Sequence, residues 1–313
     1  MRIGIDIMGG DFAPEAAVLG AILAHKELSE NERLVLIGDQ EKIREILRRE
    51  NVSSDNFDIV HTSEVIEMSD HPAKAFSKKQ DSSITKGFYL LASGNIDGFA
   101  SAGNTGAMLV GAMQAVKSIP GVIRPVITAA IPKTDGSFSI LLDVGLNPDA
   151  KPDVLYQYAI LGSMYAENVY NIKNPKVALM NIGSEEEKGN LVAKSAFELM
   201  KESSDFNFIG NVEGNNLFDE NKADVIVCDG FVGNIILKEA EAFYALIKKR
   251  KIIDEFFEKF NFENYGGTPV LGVNKNIVIG HGISREKAIK NMILHTKEVA
   301  EARLSDKIKE AFK

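Results

Sequence analysis

The stretch ITAAIPKTDGSFSILLDV, residues 127–144, decides what kind of sheet this chain builds. Two apolar runs flank Lys133-Thr134-Asp135-Gly136, and an Asp-Gly turn between such runs is the mark of a β-hairpin. Outward from this hairpin the pattern changes. Apolar runs alternate with helical periodicity almost from end to end. Ahead of the hairpin stand RIGIDIM, RLVLIGD, FDIVHT and DGFA; its own strands read PVITAAI and FSILLDVG, and after it come KVALMNIG, FNFIGNV, ADVIVCDG and NIVIGHG. Helical stretches fall at 14–28, 40–50, 82–93, 104–117, 152–169, 188–202 and 284–312. Strand–helix alternation predicts a Rossmann-like three-layer α/β/α fold around a mostly parallel sheet, and the hairpin makes that sheet mixed. With no repeat, low-complexity tract or proline-rich linker, residues 1–313 are expected to form a single α/β catalytic unit, with two lobes around a cleft. KEAEAFYALIKKRKIIDEFFEKFNF, 238–262, is expected to form one long helix or a helix pair, a helical protrusion or lid within it.

Composition narrows the partners. Apolar residues make up 45% and charged residues 26% of the chain, as in ordinary globular proteins. A net charge of −8 argues against nucleic acid, whose binders need a dominant basic face. The one cysteine, Cys228, excludes an internal disulfide framework and a cysteine-built zinc cluster, and a reducing cytoplasm is the expected location. The start MRIGIDIMGG reads directly as a strand rather than a secretory signal. No apolar run approaches the ~20 residues of a membrane span, so any membrane role is expected to be peripheral.

In open α/β sheets, ligands bind beyond the carboxyl ends of the strands. Six strand-end loops here are rich in Gly, Asn and Asp: MGGDFAP (8–14), SAGNTGA (101–107), DVGLNPD (143–149), NIGSEEEKGN (181–190), CDGFVGN (228–234) and GHGIS (280–284). Singly, each serves equally well as a plain turn. As a set at one sheet edge they predict a polar cleft with close backbone approach. In SAGNTGA, Gly103 and Gly106 would let backbone come close to a ligand, and Asn104 or Thr105 would cap a helix whose first N–H groups suit an anion. Walker, dinucleotide and serine-elbow motifs are absent, no histidine pair has metal-ligand spacing, and Glu185–Glu187 read as a solvated turn. Cys228 follows an apolar strand, where packing is a better reading than an acyl-accepting thiol.

IDIMGGDFAP, SAGNTGA, LLDVGLN, NIGSEEEKGN, DGFVGN, GGTPVLGVN and GHGIS occur in the order seen in the bacterial PlsX family, the acyl-ACP:phosphate acyltransferases. The chain resembles that family over nearly its whole length. The resemblance implies a fold similar to the phosphotransacetylases and the isocitrate/isopropylmalate dehydrogenases, and a homodimer. It implies reversible transfer of a fatty acyl group from acyl carrier protein to inorganic phosphate, giving acyl phosphate for a membrane glycerol-3-phosphate acyltransferase in phospholipid synthesis. No metal or other cofactor is called for. A CoA-dependent phosphotransacylase, a dehydrogenase of related fold and a non-catalytic acyl-ligand-binding regulator are the alternatives.

This chemistry needs a phosphate dianion held by N–H groups and cations, and donors for a thioester oxyanion. Gly103, Asn104, Thr105 and Gly106 are assigned to that cradle, with Gly9, Gly10, Asp11, Ser82, Ser83, Asn147 and Asn181 as further phosphate- or substrate-binding residues. Lys188 and Asn234 are expected to contact phosphate or oxyanion, each opening a helix after a glycine-bearing loop. His281, between two glycines, is a candidate to polarise the carbonyl or shuttle a proton, and Asp229 to orient a partner. Asp6 and Asp11 also read as braces of the first loop. HPAKAFSKKQDSSITKG (71–87) departs from the family in carrying Ser77 and Gln80 where basic residues are expected, so the part played by Lys74, Lys78 and Lys79 stays open between phosphate binding and a solvated helix face. In the family the protrusion forms a helical hairpin linked to dimerisation and peripheral membrane contact; here it is shorter. Lys248, Lys249, Arg250 and Lys251 in it are expected to dock an acidic carrier protein or an anionic membrane, followed by a helical stripe of Ile252, Ile253, Phe256, Phe257 and Phe260.

Overall fold

A computed structural model describes residues 1–313. Its strands are β1 (Arg2–Asp6), β2 (Arg33–Gly38), β3 (Asp58–His61), β4 (Gly98–Ser101), β5 (Val126–Pro132), β6 (Phe138–Leu142), β7 (Lys176–Met180), β8 (Asn207–Val212), β9 (Val225–Val227), β10 (Thr268–Leu271) and β11 (Asn276–Ile279). The α-helices are α1 (Glu15–His25), α2 (Gln40–Arg49), α3 (Pro72–Lys78), α4 (Ser83–Ala92), α5 (Thr105–Gly111), α6 (Pro152–Tyr170), α7 (Leu191–Lys201), α8 (Gly230–Lys249), α9 (Glu255–Glu258), α10 (Glu286–Glu301) and α11 (Leu304–Ala311).

The chain packs as two compact units, where the sequence alone suggests one unit with two lobes. The first comprises residues 1–118 and 262–305, the second 119–261 and 306–313. In the first, the strand order is β3-β2-β1-β4-β11-β10. All neighbours are parallel except β10, which runs antiparallel to β11. Alternation along β1 and β4 shows how this sheet is covered on both faces. Ile3, Ile5 and Ala100 enter a core with Val18 and Ala21 of α1 and Ile289, Met292 and Ile293 of α10. The intervening Gly4 and Phe99 point the other way: Phe99 packs edge-on against Phe88 of α4 at 5.3 Å, and a Cβ on Gly87 would stand 2.2 Å from its ring.

In the second unit the order is β5-β6-β9-β7-β8. The hairpin read from residues 127–144 is present: β5 and β6 pair antiparallel, Thr128 opposite Leu142 and Pro132 opposite Phe138. Its turn closes with Lys133 N–H on Ser137 O and Gly136 N–H on Lys133 O, Gly136 taking φ +91°. The other pairs are parallel. Helix α6 lies on this sheet at Gly162, where a Cβ would come within 2.6 Å of Val225 and 3.0 Å of Leu142. Both units are therefore α/β with mixed, mostly parallel sheets. No helix is long and apolar enough to cross a membrane.

Residues 238–262 take the second of the two expected forms, a helix pair rather than one helix. Helix α8 begins earlier, at Gly230, and ends at Lys249; Lys251 takes φ +57°, and α9 restarts after Asp254, whose Oδ1 accepts the Phe256 and Phe257 N–H groups. The expected apolar stripe is consequently split. Phe256 and Phe257 meet at 5.8 Å, Phe256 and Phe260 at 5.7 Å, and Phe260 packs on Phe218 at 5.6 Å, while Ile252 and Ile253 stay exposed in the turn. Likewise the helical stretch from 104 continues only as a wider π-type turn over 112–116.

Candidate active site

In the first unit the polar strand-end loops are laced together around Asp6, the last residue of β1. Its buried carboxylate accepts Met8 N–H at 2.9 Å and Ser101 Oγ–H at 2.6 Å; Ser101 Oγ in turn accepts Gly103 N–H at 2.9 Å. Burial pushes the Asp6 pKa up, opposed by hydrogen bonds from Ser101, Ser83, Met8 and Gly9. The loop after β1 and the loop after β4 touch so closely that a Cβ on Gly9 would lie 2.4 Å from Asp6 Oδ2 and 2.7 Å from Gly103 N. The loop after β11 joins them through Asp11 N–H on Gly282 O at 2.8 Å.

Asn104 is the N-cap of α5, as its place before the helix predicts: its Oδ1 accepts Ala107 N–H at 2.9 Å. Its Nδ2 donates to the carbonyls of Glu67, Met68 and Asp70 at 3.0, 3.3 and 3.1 Å, so the side chain belongs to the scaffold. Gly106 is glycine for a reason other than ligand approach, because a Cβ there would stand 2.3 Å from Pro72 Cγ. Gly103 is similarly hemmed in by Asp6 Oδ2 and Ser101 Oγ, each 3.1 Å from its would-be Cβ. Thr105, at the start of α5, is exposed. Ser82 caps α4, accepting Thr85 N–H at 3.2 Å and donating to Thr85 Oγ1 at 2.9 Å, and Ser83 is buried beside it. Lys79 is held by Asp70 at 2.6 Å, whereas Lys74 and Lys78 are exposed on α3. His281 is half-buried, its ring 4.8 Å from that of Phe262.

The second unit repeats the device. Asp143, just past β6 and fully buried, accepts the N–H groups of Gly145 (3.2 Å), Leu146 (3.1 Å) and Asn147 (2.6 Å) and Asn147 Nδ2 (3.0 Å). Burial raises its pKa against those donors. Asn147 Nδ2 also reaches Pro125 O at 2.8 Å, and Asn147 O accepts Gly230 N–H at 2.8 Å, tying this loop to the start of α8. Asp229 is the N-cap of α8, its Oδ1 accepting Val232 N–H at 2.8 Å. Cys228 is buried, its Sγ 3.5 Å from Asp143 O, and burial pushes its thiol well up, which suits packing rather than nucleophilic attack.

Lys188 and Asn234 do not open helices. Asn190 caps α7 through Ala193 N–H at 2.8 Å, leaving Lys188 exposed in the preceding turn; Asn181 steadies that turn by donating to Lys188 O at 3.1 Å. Asn234 is exposed in the second turn of α8, and Gly145 packs beside it, a Cβ there falling 3.4 Å from Asn234 Oδ1. Among the basic run, Lys248 is engaged with Glu258 at 2.9 Å, while Lys249, Arg250 and Lys251 are exposed. No group of three or more His, Cys, Asp or Glu side chains is placed to hold a metal.

Two buried carboxylates beneath strand-end loops, Asp6 and Asp143, organise these sites. Asp6 is legible as a brace; the sequence signal for Asp143 is fainter, an Asp at the end of an apolar strand followed by Gly and Asn.

Mixed sheets and glycine-lined strand-end loops define an α/β protein with a phosphotransacetylase-like fold. A phosphotransacetylase from Staphylococcus aureus superposes with a TM-score of 0.65 at 16% identity, over 96% of this chain and 94% of that one. A branched-chain phosphotransacylase from Enterococcus faecalis gives 0.63 at 13%, over 96% and 99%. Residues 1–252 match the family model described as fatty acid synthesis protein, and the chain belongs to that family. A phosphate acyltransferase of Dictyoglomus turgidum is 42% identical, matching 99% of this chain and 97% of its own length; one of Desulfitobacterium hafniense is also 42% identical, at the same coverage.

Proposed function

We propose that this chain is a phosphate acyltransferase that moves a fatty acyl group from the thioester of acyl carrier protein to inorganic phosphate. The near-full-length match to phosphate acyltransferases carries this reading. A phosphate oxygen attacks the thioester carbonyl, the C–S bond breaks, and the carrier thiolate leaves and takes up a proton. Most polar side chains in the loops are engaged in the scaffold: Asn104, Asn147, Asn181, Asp229 and Ser82 each hold backbone. Lys188 and Asn234 are exposed instead. They are assigned to the phosphate and the developing oxyanion; in the first unit, taken by itself, the backbone N–H groups of Gly9, Gly10, Thr105 and Gly106 are assigned to anion binding. Asp11 and Ser83 brace these loops, and His281 is assigned to the carbonyl.

Acyl phosphate trapped with hydroxylamine as the hydroxamate tests this directly. Native protein should form it from carrier protein loaded with a fatty acyl thioester plus phosphate, and faster than from acyl-CoA plus phosphate. Lys188→Ala and Asn234→Ala should each lower kcat by about 10²-fold with melting unchanged. Normal turnover in a folded Lys188→Ala would remove it from the site. A preference for acyl-CoA would make the chain a CoA-dependent phosphotransacylase.

Helix α8 supports the partner assignments. Phe231, Ile235, Phe243 and Leu246 are exposed along it, and Ile253 beyond it is 92% exposed. This apolar surface is assigned to a homodimer contact, and the adjoining Lys249, Arg250 and Lys251 to the acidic carrier protein or an anionic membrane surface, as suits a cytoplasmic enzyme supplying a membrane acyltransferase.

A further inference from the structure

Three apolar side chains stand exposed on the strand-end loops of the first unit: Phe12 (37%), Met68 (47%) and Ile283 (57%). They come from segments distant in sequence that are bonded into one surface. Asp11 N–H donates to Gly282 O at 2.8 Å, which sets Phe12 beside the 282–285 turn. Asn104 Nδ2 donates to Met68 O at 3.3 Å and to Glu67 and Asp70 on either side of it. Met68 covers Gly282, where a Cβ would meet Met68 Cε at 2.9 Å. The Arg285 guanidinium lies over the Phe12 ring, 4.0 Å from its centroid. Exposed apolar atoms gathered at a ligand-binding edge mark a binding surface for an apolar group.

Resting on the acyl-transfer reading above, we propose that Phe12, Met68 and Ile283 form a ledge that holds the hydrocarbon chain of the acyl group, making them specificity-determining residues for chain length. The occupant follows from chemistry and position. The ledge adjoins the loops after β1 and β4 at Gly10, whose would-be Cβ lies 3.2 Å from Gly282 O and 3.4 Å from Ala102 O, so a chain whose carbonyl sits at those loops would run its first methylenes over it. The Arg285 guanidinium backs the Phe12 ring, and Met68 lies against Gly282. A hydrocarbon asks for apolar area alone, which is what these three side chains offer. A methylene taken wholly out of water gains about fourfold in affinity, and a ledge covering one side of the chain should give a little under twofold.

Calorimetry with butylphosphonate and decylphosphonate, unreactive mimics of acyl phosphate, tests the ledge without turnover. Native protein should bind the decyl compound about thirtyfold more tightly, from six methylenes at the gain above. In Phe12→Ser/Ile283→Ser, and separately in Met68→Gln, that preference should fall to fivefold or less, decylphosphonate losing more affinity than butylphosphonate. A native protein with no chain-length preference, or variants that keep it, would overturn the proposal. So would variants that lose binding to phosphatidylglycerol vesicles with chain preference intact, since the ledge would then meet a lipid surface. Hydroxamate formation, measured alongside, reports on the acyl-transfer reading separately: decyl preference that depends on the ledge in a protein making no hydroxamate would leave the ledge standing and the transfer reading wrong.

Discussion

Gly9→Ala is the sharpest probe of the loops around Asp6. Its added methyl would stand 2.4 Å from Asp6 Oδ2, 2.7 Å from Gly103 N and 2.8 Å from Gly103 Cα. Both neighbours are fixed: the carboxylate by Ser101 and the Met8 N–H, Gly103 by the Ser101 hydroxyl. To reach even 3.0 Å the methyl must retreat about 0.6 Å from the carboxylate and about 0.3 Å from the nitrogen. Overpacking of this kind costs about 1–3 kcal/mol, a melting shift of a few degrees in a unit of this size. A displacement of ~1 Å in a positioned site costs about 10²-fold, so one of about 0.6 Å should lower kcat/KM for phosphate roughly 10- to 50-fold. The control is Gly214→Ala, where a Cβ meets nothing within 4 Å; neither melting nor rate should change. Thermal denaturation beside the hydroxamate assay separates the two effects. Lower melting with native kinetics would show that the loop pair only braces the fold, and an unchanged protein would refute the packing argument itself.

Asp81, held by the Ser63 hydroxyl, Lys86 and the Ser63 N–H, has its carboxyl lowered to about 2 from 3.8. Its contribution is present above the unfolded value and lost as pH falls through 2, so the stability gap between native protein and Asp81→Asn should close between pH 4 and 2 in urea melts. Asp229→Asn can still cap α8 and should keep both helix and activity, whereas Asp229→Ala should cost about 1 kcal/mol; a tenfold rate loss in the Asn variant would give the carboxylate a chemical role. Lys249→Glu/Arg250→Glu should raise KM for acyl carrier protein at least tenfold at low salt, with the effect fading toward 1 M salt. An unchanged KM with lost vesicle binding would assign the run to a membrane surface.

Much of this architecture is written locally. The 127–144 hairpin, the alternation of strands and helices, and the Asn104 cap depend on residues within one turn or one strand, where steric preference and hydrogen bonding act over a few positions. Strand β10 is not legible in the sequence, because it carries Pro269, follows Gly266-Gly267 and has only two residues in register with β11, so no period-2 signal builds up. Periodicity leaves 238–262 open between one helix and a pair because it cannot see the aromatic cluster that draws Phe256 and Phe260 onto Phe218, nor the left-handed Lys251 that ends the helix run. At the candidate site the residue types were legible but their duties were not. Gly106 answers to Pro72, Gly9 to Gly103, and Asn104 Nδ2 to carbonyls 34–37 residues upstream. Those constraints come from atoms brought together by packing between distant segments, and so does the apolar ledge of Phe12, Met68 and Ile283. A sequence determines which groups a loop can offer. Only the tertiary structure decides which are consumed in holding the loops together and which are left to meet a ligand, because hydrogen bonding and close packing are satisfied in space rather than along the chain.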